Sequence, residues 1–155
     1  MATPITVDGI EGVKSLVGQE IGPTDWVEIT QDMVNLFADA TGDHQWIHVD
    51  VERAKKESPF GGPVAHGYLT LSLWPRFAPE LMQYTGFTLT VNYGTEKVRF
   101  PNPVPVGAKL RARAVVTDVT EVGEGVIQTL QTATFEVEGA SKPACVATIV
   151  LRHYL

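Results

Sequence analysis

The order of its hydrophobic patterns constrains this chain most. Four stretches, Phe87 to Phe100, Leu110 to Val119, Val126 to Val137 and Ala144 to Tyr154, are rich in Val, Thr and aromatic residues and are separated by Gly or Pro. They read as long antiparallel strands. Gly123-Glu124-Gly125 and Glu138-Gly139-Ala140 read as hairpin turns. Pro101-Asn102-Pro103-Val104-Pro105 must run outside the ladder as an edge or crossover, because proline donates no backbone hydrogen bond. The first half carries a helical pattern instead. Thr30 caps Gln31 to Ala40, where Met33, Val34, Phe37 and Ala38 share one face, and Thr41-Gly42 ends the helix. Asp50 caps a short helix, Val51 to Glu57, which Ser58-Pro59 stops. After the loop Pro59-Phe60-Gly61-Gly62-Pro63, the run Gly67 to Trp74 is apolar on nearly all sides, as a helix buried all round would be. Pro75 bends or breaks it, and Phe77 to Met82 continues it. Helices first and strands after predict an α+β fold, with one sheet packed against the apolar helix near residues 66–82.

The length of 155 residues suits one domain spanning 1–155. Apolar residues make up 44% and charged ones 19%, enough of the first for a continuous core and too few of the second for a disordered chain. No apolar run approaches the roughly 18 residues of a membrane span, and Met1-Ala2-Thr3-Pro4 opens neither a charged nor an apolar leader. A soluble, unexported, cytoplasmic protein without a membrane partner is expected. The single cysteine, Cys145, sits in the apolar stretch Ala144-Cys145-Val146-Ala147 and reads as a buried, inert thiol.

A net charge of -6 argues against nucleic acid as a partner. The charge is unevenly spread. Lys97, Arg99, Lys109, Arg111 and Arg113 fall in one stretch without an acid, which makes it +5 and the rest of the chain -11. A polyanionic small molecule could dock there. Lys109, Arg111 and Arg113 alternate with apolar residues, which puts the three on one strand face and reads more simply as the solvated outer side of a sheet.

Chemistry concentrates in Gly42-Asp43-His44-Gln45-Trp46-Ile47-His48. On an ideal helix Asp43 and His48 would lie about 140° apart, so only a turn brings them together, and Gly42 after a helix favours one. A carboxylate and an imidazole converging on one water supply a general base and a general acid. Either histidine alone is more simply a surface or satisfied residue. His44 and His48 have the i, i+4 spacing of a zinc-protease helix, but Gln45 stands where that motif needs a glutamate base, so no metal is expected. Pro63-Val64-Ala65-His66-Gly67-Tyr68 runs into a helix N-terminus, where free N–H groups suit a developing oxyanion. Gly67 would admit a substrate carbonyl close to the backbone, or merely allow tight packing. Ser72 reads as a packed small residue or as support for Asp43. No Gly-rich phosphate loop and no Gly-x-Ser-x-Gly elbow occurs, and no cofactor is implied.

Phe37-Ala38-Asp39-Ala40-Thr41-Gly42-Asp43-His44-Gln45-Trp46-Ile47-His48, Ala54, Pro63-Val64-Ala65-His66-Gly67 and Tyr93-Gly94-Thr95-Glu96-Lys97-Val98-Arg99-Phe100 together resemble the MaoC-like dehydratases, or R-specific enoyl-CoA hydratases. The resemblance covers about residues 28 to 107. It implies the hot-dog fold, a long antiparallel sheet wrapped around a central helix, and, for a single hot dog, a homodimer. It also implies an acyl-CoA thioester substrate, Asp43 and His48 as catalytic residues, the Gly67 N–H as holder of the thioester oxygen and Ser72 as a supporting serine. The usual signature has Asn-Pro where this chain has Gln45-Trp46, which resembles the nodulation-protein-N-like branch. The implied reaction is reversible hydration of a trans-2-enoyl thioester to a (3R)-3-hydroxyacyl thioester. Within the basic stretch Lys97 to Arg113, joined by Arg53, Lys55 and Lys56 from earlier in the chain, Lys97 and Arg99 are the candidates to meet the CoA phosphates. A hot-dog thioesterase and a non-catalytic thioester-binding subunit are the alternatives.

Overall fold

The computed structural model describes residues 3–155. In chain order the elements are β1 (Ile5–Asp8), α1 (Gly9–Lys14), β2 (Glu20–Ile21), β3 (Val27–Glu28), α2 (Gln31–Thr41), α3 (Trp46–Val49), α4 (Val51–Glu57), α5 (Gly67–Ser72), α6 (Trp74–Leu81), β4 (Met82–Thr85), β5 (Leu89–Arg99), β6 (Lys109–Gly123), β7 (Val126–Val137) and β8 (Cys145–Tyr154). The main antiparallel sheet runs β2-β6-β7-β8-β5, with β3 also paired to β6, and β1 pairs β4 in a separate parallel ribbon. This sheet with helices on one face is the α+β, hot-dog arrangement expected. No helix among the described residues is long and apolar enough to cross a membrane.

Alternation decides which face packs. β7 buries every second residue, from Ile127 to Val137. Ala114, Ala133 and Ala147 lie side by side across β6, β7 and β8, all buried, so the middle of the inner face is shallow. Bulk comes from opposite. Trp74 and Phe77 of α6 meet the fully buried Phe135 ring edge-on, at centroid separations of 6.2 and 6.1 Å. Cys145 shares this core, and burial pushes its thiol up to about 11.

The apolar run 66–82 is two helices rather than one. Leu73 separates α5 from α6, and Pro75 sits in the first turn of α6, where its missing N–H costs nothing. Nor is the run buried all round in the single chain: Tyr68 is 70% exposed. The expected helices and long strands otherwise form with small shifts at their ends, and residues 101–105 stay outside the ladder apart from one bridge, Val64 to Pro105.

The basic run does not make one patch. Lys97 and Arg99 lie on β5 and the other three on β6, with β7 and β8 between. Arg111 and Arg113 both bond Glu136 on β7, at 2.7 and 2.9 Å. Burial pushes the Glu136 carboxyl up, but the two guanidinium bonds outweigh it and hold the group below its ordinary value. Those two arginines are therefore committed to a cross-strand pair rather than to an anionic ligand.

Polar residues interrupt the apolar face near one end of the sheet. His153 is fully buried, with Nδ1 2.9 Å from Thr90 Oγ1 and Nε2 3.1 Å from Thr129 Oγ1. Burial pushes this imidazole down to about 4 from the ordinary 6.5. The unfolded chain then takes up the proton first, so stability is full above pH 6.5 and falls as pH drops toward 4, by about 3 kcal/mol in total. Urea midpoints for wild type should fall across that window, whereas His153→Gln should give a flatter profile there. Equal slopes for the two proteins would contradict this account.

Candidate active site

Local hydrogen bonds build the turn that carries Asp43. Thr30 caps α2 by accepting from the Met33 N–H at 3.2 Å, and Gly42 ends it in the left-handed region at φ 80°. Beyond it, the Gln45 N–H donates to Asp43 Oδ1 at 3.4 Å, and α3 begins at Trp46. Trp46 in place of proline does not prevent this turn; its ring lies under the Arg53 guanidinium at 4.3 Å. Gln31 Nε2 donates to the His48 carbonyl at 2.8 Å and ties α3 back to α2.

The strand-like segment before α5 supplies the other wall. The Val64 N–H donates to the Ile47 carbonyl at 3.1 Å and the Ala65 N–H to the Val104 carbonyl at 2.8 Å. His48 Nδ1 lies 2.7 Å from the Val64 carbonyl, an acceptor only, so this nitrogen carries the proton and Nε2 keeps the lone pair. His66, buried at the cap of α5, stacks on His48 with centroids 3.9 Å apart. Its Nε2 donates to the Asp43 backbone carbonyl at 3.0 Å. One donor atom from each of Asp43, His48 and His66 gathers within 4.8 Å of the others. Each ring has one nitrogen occupied by a backbone carbonyl: His48 keeps Nε2 free, whereas in His66 the occupied Nε2 is the nitrogen that lies 4.0 Å from the half-exposed Asp43 carboxylate, and Nδ1 is buried without a partner among the described residues. Such a set can hold and deprotonate a water; it also has the donor types of a cation site.

The structure thus brings Asp43 and His48 together through a turn, and adds His66. Sequence reading placed His66 in its motif without giving it a task, because its bond to Asp43 spans 23 residues. His44 turns away: it is exposed and pairs with Asp39 at 2.9 Å, a bond that raises its pKa. The i, i+4 histidine pair is therefore not a joint ligand set. Gly67 opens α5, and a Cβ there would come within 3.2 Å of the Phe100 ring, so close packing alone favours a glycine. Its N–H, in the first helical turn, has no partner within the helix. Ser72 Oγ donates to the Tyr68 carbonyl at 2.6 Å inside α5 rather than to Asp43, and Ser72 lines a cavity of about 390 Å³ against β5. Arg99 and Lys97 are exposed on β5, one and three residues from the Phe100 that faces Gly67. Arg53 is engaged by Glu57 and Trp46, and Lys55 by Glu52 at 3.7 Å.

Residues 13–137 match the MaoC like domain. The chain belongs to the MaoC-like dehydratase family. Over 148 residues it is 49% identical to a Mycobacterium tuberculosis H37Rv protein named 3-hydroxyacyl-thioester dehydratase Z, covering 96% of this chain and 97% of that one. Nodulation protein N of Rhizobium meliloti is 44% identical over 144 residues, covering 89% and 86%. Among solved structures, the monoamine oxidase regulatory protein of Archaeoglobus fulgidus superposes with a TM-score of 0.79 at 22% identity, over 98% of this MaoC-like chain and 97% of its own, and shows a shared fold.

Proposed function

We propose that this MaoC-like protein adds water reversibly across trans-2-enoyl-CoA thioesters to give (3R)-3-hydroxyacyl-CoA. The observation that carries the reading is the meeting of Asp43 and His48 beside the start of α5. Family membership and relatives named dehydratases support the wider reaction class, a lyase acting on acyl thioesters. His48 Nε2 and the Asp43 carboxylate hold one water between them. Its oxygen attacks C3 while the pair takes one of its protons; the electrons move into the thioester as an enolate, held by the Gly67 N–H and the helix terminus. The proton then returns to C2. His66 anchors the Asp43 turn through the backbone and stacks on His48, so it positions the pair.

Lys97 and Arg99 meet the CoA phosphates on the rim of β5, next to the Gly67 end of α5. Lys97→Gln and Arg99→Gln should each raise KM for the CoA substrate by up to about fivefold, as exposed charge pairs of up to about 1 kcal/mol allow. The effect should shrink at high salt. A KM unchanged by both substitutions would move the phosphate site elsewhere. The assembly is a cytoplasmic homodimer. β5 is an edge strand exposed along nearly its whole length, with Leu89, Val91 and Tyr93 outward, a surface that a second copy covers.

The test is to mix the purified protein with a short trans-2-enoyl-CoA and follow the conjugated absorbance beside a free-thiol assay. Loss of absorbance without thiol, unaffected by prior dialysis against a chelator, is the expected result. Thiol release would make the protein a thioesterase, and silence in both assays across several chain lengths would leave a binding role.

A further inference from the structure

The cavity against Ser72 adjoins a second one of about 550 Å³, and the two share Trp74, Pro75 and Asn92 as a common wall. The catalytic end of α5 and Ser72 are separated by about 7.5 Å of helix, since each residue rises about 1.5 Å. A chain entering at Gly67 and passing Ser72 therefore runs toward the second cavity. That cavity is not the uniformly apolar slot a plain alkyl chain would fill. Tyr84, Thr90, Asn92 and Gln131 line it together with Trp74.

Two buried polar atoms on these residues lack any partner among the described residues: Gln131 Oε1, an acceptor, and Trp74 Nε1, a donor. Gln131 and Trp74 are 0% and 3% exposed. A hydrogen-bond network fixes Gln131 in place, and the Phe135 ring packs against Trp74. Gln131 Nε2 donates to the Tyr84 hydroxyl at 3.0 Å and to Thr129 Oγ1 at 3.2 Å, and Thr129 is held in turn by His153 at 3.1 Å. The Tyr84 hydroxyl spends its own proton on Met82 Sδ at 3.5 Å. The glutamine amide nitrogen is thus consumed inside the protein, and its oxygen is the atom left over. A buried donor and a buried acceptor without partners, on residues lining one cavity, are complementary to a group that both accepts and donates. A hydroxyl has that property. A ketone answers only the tryptophan N–H, and a methyl group answers neither.

We propose that the second cavity receives the far end of the acyl chain and selects a hydroxyl there, so that the preferred substrates are acyl thioesters oxygenated toward the tail. This rests on the hydratase reading for the identity of the chain that enters, and a measurement independent of turnover separates the two. Saturated acyl-CoAs from hexanoyl to dodecanoyl are titrated calorimetrically as matched sets ending in methyl, ketone or hydroxyl, and hydration of the corresponding trans-2-enoyl-CoAs is followed separately. At the length that reaches the cavity, the hydroxyl-ended ligand should bind at least about tenfold more tightly than the methyl-ended one, with the ketone between, since a polar site rejects a ligand lacking the group it bonds. Gln131→Leu should abolish the preference. Tyr84→Phe, which deletes one oxygen and spares the packing, should reduce it should Gln131→Leu fail to fold. Equal affinities, or tighter binding of the methyl-ended ligand at every length, would overturn the proposal whether or not hydration is seen. A hydroxyl preference without hydration would uphold the cavity assignment and overturn the hydratase reading instead.

Discussion

Asp43→Asn should lower kcat for hydration of trans-2-butenoyl-CoA by about 10²–10⁴-fold while leaving the fold intact, the range typical of removing a general acid or base. The asparagine keeps the size and the Oδ1 that accepts from the Gln45 N–H, so the turn survives. What disappears is the negative charge and the second oxygen that face the water. The Asp43 side chain is 51% exposed, and substitution at such a site should change stability by less than about 0.5 kcal/mol. His48→Gln should cost a similar factor by removing the Nε2 lone pair that the Val64 carbonyl reserves for chemistry. Because the two groups share one water, the double variant should fall little below the worse single one. Losses under tenfold in both single variants, or losses that multiply, would contradict a shared water. Chemical denaturation of each variant distinguishes lost chemistry from lost structure.

Phe135→Ala should destabilise the protein by about 3–5 kcal/mol, the usual cost of deleting a buried phenyl ring. That is a large part of the roughly 5–15 kcal/mol that holds a domain of this kind. Phe135 is fully buried and is the ring against which both Trp74 and Phe77 rest. The alanines beside it on the sheet leave nothing else to fill the space. Leu36→Ala on α2, where the side chain is 69% exposed, should change stability by less than about 0.5 kcal/mol and serves as the control. Since Trp74 walls both acyl cavities, any folded Phe135→Ala protein should also bind long acyl chains less well than short ones relative to wild type. A urea midpoint close to wild type would mean that α6 does not depend on this contact.

Much of this could be read from the residues, for reasons that differ by element. β7 forms over Val126–Val137 as expected, because strict alternation leaves one register that buries Ile127, Ala133 and Phe135 together. α2 was legible from Thr30 and Gly42, whose side-chain cap and positive φ act over three or four residues. β2 and β3, two residues each, carry no period at all and exist only because β6 offers them a ladder. Apolar composition alone suggested a helix buried all round, but it cannot say which side meets the sheet; Tyr68 faces out at the edge shared with Phe100, 6.0 Å between centroids. The convergence of Asp43 and His48 followed from Gly42 because it is local. The tasks of His66, of the Val64 carbonyl and of Gln131 did not, since each depends on a partner that lies more than ten residues away.

Stereochemistry tests the central claim, one water held between Asp43 and His48, most directly. Hydration of trans-2-butenoyl-CoA in deuterated water places a deuteron on C2 and a hydroxyl on C3, and proton NMR couplings of the product report their relative orientation. Both should arrive on the same face, in a single diastereomer with the 3R configuration, because the pair that removes the deuteron from water is the pair that returns it. Addition to opposite faces, or a mixture of diastereomers, would mean that C2 is protonated by another group or by bulk solvent, and the account given for Asp43 and His48 would be wrong.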